Sequence, residues 1–164
     1  MIGRLARHLF SRSASRLFPA DALERIAQAV ARGEATHTGE TCFAVESALP
    51  LRAVFAGVQA RDRAVDAFSR LRVWDTAANN GVLLYLLLAD HRIEIVADRG
   101  LQGRVSDAQW RGVCQLMEER LRAGEPEAAA VQGIEAAARL IAGHFPRSRD
   151  AADENELPDL PHVS

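Results

Sequence analysis

The sequence predicts a three-layer α/β sandwich, a small mixed sheet with helices on both faces, and three features of the chain predict it. The run from Val82 to Ala89 is apolar at both parities, so both of its faces need cover. Residues 92–97 alternate Ile93, Ile95 and Ala97 with Arg92, Glu94 and Val96, and an Asp90-His91 turn makes them the antiparallel return strand. A helical pattern separates the strand-forming segment 41–47 from the run at 82–89. That connection is a right-handed crossover, which sets the two strands parallel.

Taken in order, residues 1–18 carry Arg4, Arg7, Arg12 and Arg16 without an acid and read as a basic N-terminal lead-in. A short amphipathic helix on an anionic membrane is the other reading of that segment. The α/β domain spans 19–146. Pro19 opens a helix carrying Leu23, Ile26, Ala27 and Val30 at helical spacing, and Gly33 ends it. Thr41 to Ser47 is a strand, closed by Pro50. A second helix at 58–71 places Ala64, Val65, Phe68 and Leu71 on one face. Ser106 and Gln109 form a capping box for a third helix with Trp110, Val113, Cys114, Met117 and Leu121 on its stripe. Pro126 starts a fourth, whose stripe is Ala130, Ile134, Ala137 and Ile141. From Arg147 the chain turns acidic and aperiodic, which predicts a disordered tail over 147–164.

The totals remove several classes of function. At 164 residues the chain is long enough for one domain, and a net charge of −2 argues against a nucleic-acid binder. All 20 basic residues are Arg, spread over every segment. Cys42 and Cys114 sit in apolar patterns, which suits packed thiols in a reducing compartment better than a disulfide or a zinc site. No 18-residue apolar run and no signal-peptide core occur, so the expected location is the cytoplasm. A nucleophile elbow and a Gly-rich phosphate loop are missing as well.

The chemistry-bearing residues gather at strand ends. His37 and Glu40 precede the first strand, Asp75, Asn79 and Asn80 precede the second, and Asp98 follows the third, which runs the other way. The topology alone brings them to one rim of the sheet. Asp75, Asp98 and Glu40, with oxygens from Asn79 and Asn80, would form an oxygen-rich nest. Carboxylates converging there raise one another's pKa values, and a hard divalent cation, Ca²⁺ or Mg²⁺, resolves the repulsion. The same residues also read as turn builders, since Asx side chains bond local backbone. This rim lies at the starts of the parallel strands, whereas open α/β sheets usually take ligands at the carboxyl ends.

Trp74-Asp75 through Asn79-Asn80-Gly81-Val82-Leu83-Leu84, with Ile93-Glu94-Ile95-Val96-Ala97-Asp98-Arg99-Gly100-Leu101, resembles the TPM-domain family over roughly 34–146. The chain looks like its short bacterial type. Relatives of that family include a thylakoid-lumen protein of photosystem II repair and an auxiliary protein of an acetylcholine receptor. The resemblance implies an α/β sandwich, divalent-cation binding and acid phosphatase activity, with Asp75, Asn79, Asn80 and Asp98 matching the family motif. Two functions follow. One is a non-catalytic accessory or assembly module that binds a cation and docks on a protein partner, in the cytoplasm or at a membrane. The other is a metal-assisted phosphomonoesterase with Asp75 or Glu40 as base, His37 as acid, and Arg72 and Arg99 on the substrate.

Overall fold

The computed structural model describes residues 2–148 and 157–164. Its helices are α1 (Ile2–Leu9), α2 (Ala14–Leu17), α3 (Ala20–Glu34), α4 (Leu51–Phe55), α5 (Ala60–Arg70), α6 (Asp107–Arg122) and α7 (Pro126–Ala142). The strands are β1 (Thr41–Glu46), β2 (Val82–Leu87), β3 (Arg92–Ala97) and β4 (His162–Val163), in the order β3-β2-β1-β4. β1 pairs parallel with β2 in the register Thr41 to Val82, and β2 pairs antiparallel with β3 in the register Val82 to Ala97.

The double burial of β2 divides the core by parity. Val82, Leu84 and Leu86 face α3, α6 and α7, packing with Ile26, Met117, Ile134 and Ile141. Leu83, Tyr85 and Leu87 face the other layer, with Ala64, Ala67 and Phe68 of α5 and Val54 of α4. All six β2 residues are buried. Burying one Leu side chain of this kind is worth about 1.5–3 kcal/mol, so this strand fixes the sandwich. α7 approaches α6 closely at Gly133, where a Cβ would lie 2.5 Å from the Met117 sulfur.

Polar groups tie the second layer to the sheet. Glu46 is 5% exposed at the end of β1 and accepts from Arg63 Nε and Nη2, both at 2.8 Å, and from the Tyr85 hydroxyl at 2.5 Å. Such a pair stabilises the fold little in net terms, yet removing one partner strands a buried charge.

Three features differ from the sequence reading. The N-terminal lead-in is not loose: α1 and α2 dock on the domain, and Ala14 and Phe18 join the core. Asp90, in the β2–β3 turn, holds α1. Its carboxylate accepts from Arg4 Nη2 at 2.7 Å and Nε at 3.0 Å, and His8 Nε2 lies 3.1 Å away. Burial works to raise the Asp90 pKa, but the Arg4 hydrogen bond and charge outweigh it and the pKa falls. The expected disordered tail is also corrected in part. Arg147 Nε donates to the Glu34 and His37 carbonyls, and β4 adds to the edge of β1 in parallel. The rest of that expectation, 149–156, lies outside the described residues. Finally, α4 follows Pro50 directly, in a segment where five residues are too few to show a helical stripe. Among the described residues no helix is long and apolar enough to cross a membrane.

Asp90→Ala should lower stability by about 1–3 kcal/mol, since it leaves the Arg4 guanidinium without its carboxylate acceptor. Hydrogen exchange should show the loss concentrated in residues 2–9, and unchanged protection there would contradict this docking.

Candidate functional site

The loop between α5 and β2 closes on itself. A Cβ at Gly81 would meet the Val73 carbonyl oxygen at 1.9 Å, so only glycine lets the two ends of the loop touch. Inside it, the Thr76 carbonyl accepts from Asn79 N at 3.1 Å and the Thr76 hydroxyl from Asn80 N at 3.1 Å. Asn79 takes φ +52°, the left-handed conformation that Asn tolerates. The loop therefore presents its carbonyls in a fixed arrangement. Ala78 and Asn79 oxygens sit so close to Gly100 that a Cβ there would meet them at 2.6 and 2.5 Å.

Backbone hydrogen bonds bring the three strand ends to one rim. Val82 N donates to the Glu40 carbonyl at 2.9 Å, Asp98 N to the Gly81 carbonyl at 2.9 Å, and Gly100 N to the Asn79 carbonyl at 2.8 Å. Gly39 packs against Asn80, where a Cβ would lie 2.8 Å from the Asn80 carbonyl oxygen. Glu40 is 2% exposed and Asn80 fully buried. Among the described residues neither polar side-chain atom of Asn80 has a hydrogen-bond partner, and Asp98 Oδ2 is buried without a donor. Asp98 Oδ1 accepts from Arg99 N at 2.7 Å, capping the 3₁₀ turn Arg99–Leu101.

The remaining expected residues stand around this group in different roles. Asp75 is exposed and pairs with Arg72, three residues back along the chain, at 2.7 Å. Arg99 Nε donates to Asn79 Oδ1 at 3.0 Å. His37 is fully buried and its backbone forms a bridge to Pro146. Burial pushes its pKa down to about 4, so the ring carries no extra proton at neutral pH. Trp74 is half exposed at the root of the loop, its indole N–H 3.4 Å from the Ser69 carbonyl. Among the described residues no group of three or more His, Cys, Asp or Glu side chains is placed to hold a metal ion. Burial raises the thiols of Cys42 and Cys114 to about 12 and about 11, as expected of packed cysteines.

Sequence reasoning missed one acid. Glu34, the last residue of α3, is 6% exposed and its Oε1 accepts from Thr41 N at 2.8 Å. Burial raises its pKa to about 8, the Thr41 N–H opposing this while the carboxylates of Glu40 and Asp159 add to it. The signal was hidden because Gly33 reads as the helix stop, whereas the helix continues through Glu34. A carboxyl one residue beyond an apparent stop looks like a solvated cap.

Glu34 and His37 impose opposite pH slopes. Glu34 holds its proton better folded than unfolded, so its contribution is full below pH 4.5 and is lost as pH rises through about 8. His37 resists protonation when folded, so its contribution is full above pH 6.5 and is lost as pH falls through about 4. The two windows overlap, so the opposing slopes offset each other between about pH 4.5 and 6.5 and thermal melts should fall as pH rises from there through about 8, a limb that Glu34→Gln should flatten. An alkaline limb unchanged in that variant would remove Glu34 as its source.

Comparison with known proteins agrees with the architecture. No curated protein matches the chain. The NMR structure of the BA42 protein from the psychrophilic bacterium Bizionia argentinensis is similar, with 28% sequence identity and a TM-score of 0.76 over 88% of this chain and 94% of that one. The family model described as the TPM domain matches residues 13–140. With the sheet, its two helical layers and the Asn79-Asn80-Gly81 loop in place, the chain belongs to the TPM-domain family.

Proposed function

We propose that this TPM domain binds a divalent cation, Ca²⁺ or Mg²⁺, at the rim where β1 and β2 begin and β3 ends, and serves as a non-catalytic accessory or assembly module. The observation that carries this reading is that Asn80 Oδ1 and Asp98 Oδ2, on segments whose backbones meet at this rim, are buried without a donor among the described residues. A buried polar atom left unbonded costs about 1–3 kcal/mol, and a hard cation is the partner that carboxylate, carboxamide and carbonyl oxygens share. Asp98, Asn80 and Glu40 would hold the ion, with Asn79 carbonyl oxygen and Asp75 nearby in the chain. When bound, the ion supplies positive charge that carboxylates otherwise obtain only by protonation. Trp74 offers a half-exposed aromatic surface next to the loop, a suitable anchor for a protein partner.

A phosphomonoesterase is the second reading, and Arg99 favours it. Its guanidinium is held at the rim by Asn79 Oδ1, where a planar donor pair would match phosphoryl oxygens. Arg72 would have to leave Asp75 to join it, and Asp75 would then be open to act as base.

After chelation, adding Ca²⁺ or Mg²⁺ at 100 times Kd should stabilise the protein by about 2.7 kcal/mol, and Asp98→Asn should abolish the gain. An equal gain in wild type and variant would sink the cation site. Metal-dependent hydrolysis of an aryl phosphate should stay at the buffer rate; turnover that disappears in Asp75→Asn would replace the module reading with the enzyme.

A further inference from the structure

The other end of β2 opens on a cleft of about 810 Å³, which is independent of the rim described above. It lies at the carboxyl ends of the parallel strands, where open α/β sheets receive their ligands. Its size is that of a small-molecule site. The floor is aliphatic: Leu86 and Leu88 leave β2, Leu17 comes from α2, and Leu121 from α6. Arg7, Arg12 and Arg122 stand among the lining residues, together with His91 of the hairpin turn. Glu118 is the one acid lining it among the described residues, and Arg122 already holds it at 2.7 Å. Arg12 is exposed and makes no ion pair among the described residues. Arg7 is fixed by the Ala89 carbonyl at 3.2 Å and reaches Asp90 only at 3.4 Å.

We propose that this cleft binds an amphipathic anion, a carboxylate or phosphate head on a single aliphatic chain. The net cationic lining selects the head, and the leucine floor selects the chain. A bare phosphate would leave the leucines in water, and a neutral hydrocarbon would leave the arginines unused. Phe10, 85% exposed and also lining the cleft, is the side chain that such a tail would cover. The wall is preformed, because α1 is pinned to the hairpin turn through Arg4 and Asp90. A preformed wall lowers the ordering cost of binding. Residues 7–12 lie outside the region matched by the family model, so this wall is a feature of the chain beyond the matched 13–140.

Calorimetric titration of the full chain with decanoate and with decyl phosphate, below their micelle concentrations and with chelator throughout, tests this independently of any metal. Both should bind one to one, with decanol at least about tenfold weaker. Losing one charge-assisted contact in Arg12→Gln should also cost roughly tenfold in affinity. Arg12 is exposed, so the variant should retain the wild-type melt. Decanol binding as tightly as decanoate, wild-type affinity in Arg12→Gln, or no binding of either anion would overturn the proposal. Vesicles of a neutral lipid doped with the single-chain lysophosphatidylglycerol separate the sources: Arg12-dependent capture assigns the anion to a bilayer lipid, and binding of the free amphiphiles without capture assigns it to a soluble one.

Discussion

A strand buried on both faces is the constraint from which the rest of this structure follows. β2 has no wet side, so helices must cover it twice and neighbouring strands must flank it. Its period of two sends alternate residues to separate cores, one built by α3, α6 and α7 and the other by α4 and α5. Every functional candidate is then a matter of which end of this strand it occupies. The rim of Glu40, Asn80 and Asp98 sits at the start of β2, and the cationic cleft sits at its finish.

The two ends differ in how charge is handled. At the start, Asn80 Oδ1 and Asp98 Oδ2 are buried, and the backbone turns tightly around Gly81 and Gly100. At the finish, guanidinium groups cluster beside leucines, and Asp90 neutralises only those that fasten α1. The sheet between the two ends is held by apolar packing and by the Glu46, Arg63 and Tyr85 cluster, which commits its charges internally.

What was legible in the sequence was whatever local pattern decides. The parity of 82–89 and the alternation of 92–97 led to the central hairpin, and the boundaries of β3 agree with the expectation. Ser106 and Gln109 form the reciprocal cap expected of them, and Pro126 stands at the first turn of α7. Long-range pairings were not legible. Nothing local says that Arg4 and His8 are reserved for Asp90, more than 80 positions away, so the N-terminus looked like a loose basic segment. The two-residue β4 is likewise held by the β1 edge, through Ser164 N to the Val45 carbonyl and Ser47 N to the Ser164 carbonyl. For the rim, topology alone brought the strand ends together, but it could not tell a side chain that faces inward, such as Asn80, from one that faces Arg72, such as Asp75.

The central claim is that the inward oxygens at the start of β2 await a cation, and paramagnetic broadening tests it most directly. Substoichiometric Mn²⁺ added to the ¹⁵N-labelled chain should erase the amide signals of Asn79, Asn80, Gly81, Asp98 and Gly100 first, and competing Mg²⁺ or Ca²⁺ should restore them. Broadening that instead begins at exposed acids remote from this rim, such as Asp66 or Glu119, while those five signals persist, would contradict it.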